Sequence, residues 1–364
     1  MAGATAALNH DARARGRGGA ENHAAPSRPR AFAPIARPRI LASAAALLLG
    51  SLQPGTRPPA PPPASWAPLI GEYGPDTTSG AMVLESGGKL YLRRPAAGQQ
   101  ELRSAGRDRF RLGDTTVRFA RRAPGKADSV TIGAVTLPRK KLGPEEGAVF
   151  RIVPVRPVPE LLREARAARP PEESGVFRNS DLVELAALDP SIKLDIRYAG
   201  SDNFLGIPVY SSARAFLQRP AAEALVRAHR RLRALGYGLL IHDGYRPWYV
   251  TRMFWDATPP EQHEFVANPA NGSRHNRGAA VDLTLYELRG GRPVEMPGTY
   301  DEFSRRSYPN YPGGTGRQRW HRELLRNAME AEGFAVYSSE WWHFDYQDWR
   351  LYPLGNARFE DLRQ

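Results

Sequence analysis

Two hydrophobic periodicities divide the chain. Between residues 69 and 141, short runs alternate apolar and polar side chains with period two, at 81–85, 89–93, 116–120 and 129–132. The pairs Gly87-Gly88, Gly113-Asp114 and Pro124-Gly125 separate them. Alternation bounded by Gly, Asp and Pro is the pattern of hairpin-linked strands. This stretch predicts a small all-β region, and it carries no Ser-x-x-Lys or other catalytic group, so an accessory or substrate-shaping role suits it. From about residue 176 the pattern changes. Residues 220–235 have helical spacing, with Pro220 in the first turn and Gly236 just past the end. Residues 317–332 put Leu324, Leu325 and Ala328 on one face and stop at Gly333. Strand-type runs lie at 192–198, 238–242, 280–286, 335–337 and 342–344. Such a mixture predicts an α+β domain with a mainly antiparallel sheet.

The remaining segments are connectors. Residues 54–68 are Pro-rich and favour an extended polyproline spacer. Residues 159–168 form a short helical candidate that Pro170-Pro171 stops. The expected organisation is a disordered leader with a signal-type segment (1–53), a Pro-rich linker (54–68), a small β-rich accessory region (69–155), a connecting helix and linker (156–175) and an α+β domain (176–364). Residues 40–50 are an apolar run behind Arg37 and Arg39. A membrane-spanning helix needs roughly 20 apolar residues, so no stable span is expected. The run has the length of a secretory h-region. It predicts export, to the periplasm, by a signal-type segment from Ile40 to Leu52; as an ordinary buried helix it would leave the protein cytoplasmic.

Charge and cysteine content narrow the function classes. The formal net charge is +13. Much of the excess is arginine scattered through Pro/Ala/Gly-rich sequence, as in the leader, where Arg13, Arg15, Arg17, Arg28, Arg30, Arg37 and Arg39 face only Asp11 and Glu21. No arginine stripe interleaves with aromatics, so nucleic acid is not an expected partner. The absence of cysteine excludes disulfides, thiolate ligands and a cysteine nucleophile.

The chemistry concentrates in two stretches. His275 stands in a Gly/Asn-rich turn, Gly272-Ser273-Arg274-His275-Asn276-Arg277-Gly278, and Asp282 follows inside the strand-type run. His343 closes Glu340-Trp341-Trp342-His343. Two imidazoles and one carboxylate make three ligands with an open fourth position, the arrangement of catalytic zinc sites. Other divalent ions suit the same set. Glu340, three residues before His343, is placed to exchange a proton with water; as a fourth ligand it would close the open position.

Ser273, His275, Gly278 and Asp282, joined to Glu340-x-Trp342-His343, resemble the D-alanyl-D-alanine dipeptidases, a group of zinc D,D-peptidases. The likeness spans residues 182–362 and includes Asp195-Ile196-Arg197-Tyr198-Ala199, Asn203-Phe204-Leu205-Gly206, Asp243-Gly244-Tyr245-Arg246-Pro247 and Asp282-Leu283-Thr284-Leu285-Tyr286. The resemblance implies one Zn²⁺ per chain on His275, Asp282 and His343, with Glu340 as general base and Arg246 on the transition-state charge. It places Asp301 on the substrate ammonium, Tyr198 in the substrate pocket, and Ser273 in that pocket where it helps hold the substrate's C-terminal end. Asp243 is placed to orient Arg246 from behind. Tyr300 stands where a Phe is common, and Pro297 follows the Met of that loop. The implied substrate is a small D,D-dipeptide such as D-Ala-D-Ala. Rival readings are a D,D-carboxypeptidase acting on peptidoglycan fragments and a non-catalytic, metal-stabilised wall-binding module.

Overall fold

The computed structural model describes residues 57–75, 80–122, 125–144 and 148–362. The leader, the signal-type segment and the start of the Pro-rich linker lie outside the described residues. Among the described residues no helix is long and apolar enough to cross a membrane.

Residues 71–138 form two antiparallel sheets of consecutive strands. One holds β1 (Gly71–Tyr73), β2 (Ala81–Ser86), β3 (Lys89–Arg94) and β4 (Gly98–Glu101). The other holds β5 (Arg103–Ser104), β6 (Arg109–Leu112), β7 (Thr115–Arg121), β8 (Ala127–Ile132) and β9 (Val135–Pro138). Ser86 pairs with Lys89 across Gly87-Gly88, whose φ angles are 57° and 74°. Two consecutive positive φ values define the primed turn that matches strand twist, and glycine adopts them without a Cβ clash. The inward residues, among them Val83, Leu90, Leu92, Val117 and Val130, form their own apolar cluster.

A second, larger cluster organises residues 152–359. Its elements are α1 (Val158–Ala167), β10 (Leu182–Glu184), α2 (Leu185–Leu188), β11 (Lys193–Leu194), β12 (Phe216–Gln218), α3 (Arg219–Ala234), β13 (Tyr237–Asp243), α4 (Trp248–Ala257), β14 (Ala280–Glu287), α5 (Gly316–Glu330), β15 (Phe334–Tyr337) and β16 (Glu340–Tyr346). The main sheet runs β11-β13-β14-β16-β15, and every pair except β11–β13 is antiparallel. The chain is thus mixed α+β with mainly antiparallel sheets. Helix α3 buries Ala221, Leu225, Ala228 and Leu232, an i, i+4, i+7, i+11 stripe that matches the helical repeat. Strand β13 is buried at every residue and β14 at all but its last, so the two centre strands lie covered on both faces.

Two expectations differ from the structure. The strand expected at 192–198 keeps ladder pairing only at Lys193 and Leu194. Beyond them Asp195 binds the Arg197 side chain at 2.7 Å, and the backbone turns into a 3-10 helix at Arg197–Ala199. Ile192, Ile196 and Tyr198 are still buried, so the alternation reports burial and not pairing. Helix α4, directly after Pro247, has no counterpart among the expected elements. All but three of its ten residues are buried, so it lacks the polar stripe by which a helix is recognised.

Phe344 is fully buried on β16 between His343 and Asp345. Phe344→Ala is expected to cost about 3–5 kcal/mol. Urea unfolding should show a lower midpoint with an unchanged slope.

Candidate metal centre

The sheet brings the three expected ligands together. Asp282 on β14 pairs directly with His343 on β16, which places both side chains on one face of adjacent strands. His275 enters from the short 3-10 turn His275–Arg277, and Gly278, at φ 65°, turns the chain into β14. A Cβ on Gly278 would stand 2.4 Å from Leu182 Cδ2.

The ligand atoms form a nearly equilateral triangle. His275 Nε2 lies 3.1 Å from His343 Nδ1 and 3.2 Å from Asp282 Oδ1, and His343 Nδ1 lies 3.1 Å from Asp282 Oδ1. A tetrahedral ion with bonds of about 2.0–2.1 Å separates its ligands by about 3.3–3.4 Å. The opposite ring nitrogens fix the tautomers. His275 Nδ1 is 2.7 Å from Gly244 O, and His343 Nε2 is 2.9 Å from an Asp345 carboxylate oxygen. Both partners only accept, so each ring donates outward and turns a bare lone pair inward. Asp282 Oδ1 is buried and has no hydrogen-bond donor. With both rings neutral, three buried acceptors face one point, and a cation there satisfies all three. The donor set fits a divalent metal.

Supporting groups fix the rest of the site. At the end of β13 the register skips His242, so Ile241 pairs with Leu283 and Asp243 with Asp282. Such a bulge re-aims side chains at a sheet rim. Asp243 Oδ2 accepts from Arg246 Nε at 2.9 Å, and its Oδ1 accepts from Tyr210 and from Gly244 N. Asp243 therefore holds Arg246. Asn276, which sequence reasoning passed over, donates to Arg246 O and to Thr251 Oγ1, both at 2.8 Å, and accepts from Ser273 N at 2.7 Å. Asp345 was also missed, although its i+2 spacing from His343 on a strand marks a shared face. Tyr300 was noted only as a departure from pattern. Its hydroxyl donates to Asp282 Oδ2 at 3.1 Å, and its ring stacks on His242 at 4.6 Å.

Tyr198, Arg246, Ser273, Asp301 and Glu340 line one small cavity of about 80 Å³ together with the three ligands. Asp243 lies behind it. Glu340 Oε2 is 3.5 Å from His343 Nδ1 and outside the ligand triangle. Burial chiefly, with the charge of Asp282, pushes its carboxyl up to about 7. Asp301 is buried, holds φ at 56° and accepts from Tyr198 OH at 2.7 Å. Burial and then the charge of Asp282 push it well above the usual carboxylate range. Ser273 is buried and its Oγ accepts from His275 N at 3.3 Å, so it also braces the ligand turn.

A family model described as D-Ala-D-Ala dipeptidase, within the M15 peptidases, matches residues 178–359. The D-alanyl-D-alanine dipeptidase of Escherichia coli strain K12 is 36% identical over 175 residues, 48% of this chain and 89% of that protein. The D-alanyl-D-alanine dipeptidase of Enterococcus faecium is 35% identical over 187 residues, 46% of this chain and 91% of that protein. That of Streptomyces coelicolor is 34% identical over 186 residues, with 46% and 92% covered.

Asp345→Asn removes the charge behind His343 and leaves the ligand triangle in place. Metal affinity should weaken about 10–100-fold, read by competition with a chelator of known affinity.

Proposed function

The chain belongs to the M15 peptidase family of D-Ala-D-Ala dipeptidases, and on that premise we propose that it hydrolyses D-Ala-D-Ala, or a D,D-dipeptide of similar size, to free D-amino acids, using one zinc ion per chain on His275, Asp282 and His343. Zinc in such a site polarises a carbonyl and lowers the pKa of water toward about 7. The other steps fall to the protein's own groups. Glu340, beside the ligands and free of them, takes a proton from the attacking water and returns it to the leaving nitrogen as the C–N bond breaks. Its elevated affinity for a proton suits both transfers. Arg246, held by Asp243, supplies fixed positive charge where the former carbonyl oxygen becomes negative.

The buried carboxylate of Asp301 carries the dipeptide reading. It stands in the same small cavity as Glu340 and the ligands, bonded to Tyr198. A buried carboxylate is costly until a cation joins it, and the free ammonium of a dipeptide is such a cation. An acyl-blocked stem peptide brings no charge there. Export, expected from residues 40–52, would put the enzyme where wall turnover releases dipeptide.

The test is turnover of D-Ala-D-Ala, L-Ala-L-Ala and an intact stem pentapeptide by zinc-loaded protein. Cleavage of the first alone is expected, and preference for the pentapeptide would replace the dipeptidase reading with a carboxypeptidase. Glu340→Gln should keep one equivalent of zinc while kcat falls toward the upper end of about 10²–10⁴-fold, whereas His343→Ala should lose metal and activity together. The base form of Glu340 exists above its pKa, so kcat/KM should fall as pH drops. A nearby divalent charge pulls a carboxylate down, so that limb should lie between the ordinary 4.5 and about 7 and be absent from the residual rate of the Gln variant. Asp301→Asn should raise KM for the dipeptide more than it lowers kcat.

A further inference from the structure

A dipeptide presents two charges, and Asp301 answers only the ammonium. The cavity's cations are Arg246 and Arg274. Arg246 is committed: its Nε and Nη2 both lie within 2.9 Å of Asp243 Oδ2, and Nη2 is 3.6 Å from Asp282 Oδ2. Arg274 is not. Its guanidinium lies 5.5 Å from the ring centroid of Tyr337 and 4.9 Å from that of Trp349. Its Nε is buried without a hydrogen bond, 3.5 Å from Asp345 Oδ2, and its terminal nitrogens have no acceptor among the described residues. An arginine stacked on aromatic faces keeps its planar fork oriented, and that fork matches a carboxylate in bidentate fashion.

We propose that Arg274 is the receptor for the substrate's C-terminal carboxylate and makes the enzyme specific for a free C-terminus. The proposal rests on the dipeptidase reading and adds the group that reads the far end of the substrate. The placement agrees with the covalent distances. The carboxylate carbon lies three bonds from the scissile carbonyl carbon, within about 4 Å. Arg274 adjoins Ser273, which lines the same cavity, and reaches the ligand triangle through Asp345 and His343. Asp345 approaches Arg274 at Nε, at 3.5 Å, and its other oxygen accepts from His343, so the guanidinium's terminal nitrogens stay open to a substrate carboxylate.

The measurement compares D-Ala-D-Ala with its C-terminal amide, D-alanyl-D-alaninamide, for zinc-loaded wild type and Arg274→Gln. Wild type is expected to favour the free acid in kcat/KM. Arg274→Gln should keep one equivalent of zinc, raise KM for the acid about 10–100-fold, as loss of a charge-assisted hydrogen bond does, and change kcat by less. The amide's kcat/KM should stay put, so the acid-over-amide ratio falls by the same factor. A purely structural role for Arg274 would lower both substrates together and leave the ratio intact, and that result overturns the assignment. Wild type that cleaves the amide as well as the acid overturns it without any variant. Wild type that cleaves neither removes the dipeptidase reading itself, and the assignment with it.

Discussion

Three acceptor atoms held about 3 Å apart in a buried place repel one another. Everything around them opposes that repulsion. His275 is held through its outer nitrogen by the backbone at Gly244, His343 by Asp345 two residues along its own strand, and Asp282 by Tyr300 and by direct pairing across the ladder. Each restraint comes from a different part of the chain, so no single local motif makes the site. The sheet makes it, by fixing the register of β14 against β16. A one-residue slip would turn His343 to the opposite face.

The same low-polarity surroundings sort three carboxylates into three roles. Asp282 faces the imidazoles, with a lone pair left for a cation. Glu340 stands just outside the triangle, and burial raises its proton affinity into the range where a group can both take and give a proton. Asp301 is buried and, among the described residues, hydrogen-bonds the Tyr198 hydroxyl. Equal chemistry is differentiated by neighbours: Asp282 faces two imidazoles, whereas burial and the charge of Asp282 act on Glu340 and Asp301. The two arginines of the cavity are held differently: Arg246 is fixed by the Asp243 carboxylate, and Arg274 lies against the rings of Tyr337 and Trp349.

Much of this was legible in the sequence, for physical reasons. A histidine in a glycine turn and an aspartate in the apolar strand after it, with a later Glu-x-Trp-His, leave few arrangements that bury all four. The long helices α3 and α5 were legible because each has one wet face. What stayed hidden was whatever depends on tertiary contact. Helix α4 is dry on nearly every side, and the stretch after Leu194 alternates without forming a ladder. Asn276 earns its place by three hydrogen bonds to segments near 246, 251 and 273, none of which spacing reveals. Tyr300 differs from the common Phe by one oxygen, and only the fold shows that the oxygen meets Asp282.

The strands before residue 139 also bear on the site, although the family match begins only at residue 178. The loop that carries Asp301 at positive φ continues through Glu302, which is fully buried. Glu302 accepts from Thr299 N and from Arg306, and Arg306 Nη2 donates to Pro144 O at 3.0 Å. Further along, Tyr311 OH donates to Glu72 on β1 at 3.0 Å, Gly316 N donates to a Glu85 carboxylate oxygen on β2 at 2.7 Å, and Arg319 Nη2 reaches Glu85 O at 2.7 Å. Non-glycine residues hold a left-handed backbone only where neighbours over-determine it. Here one wall of the bracing is built from the β-rich region. The contacts from β1 and β2 fall on residues 311–319, and the contact from Pro144 falls on Arg306, so the chain that follows Asp301 is tied down at two successive places.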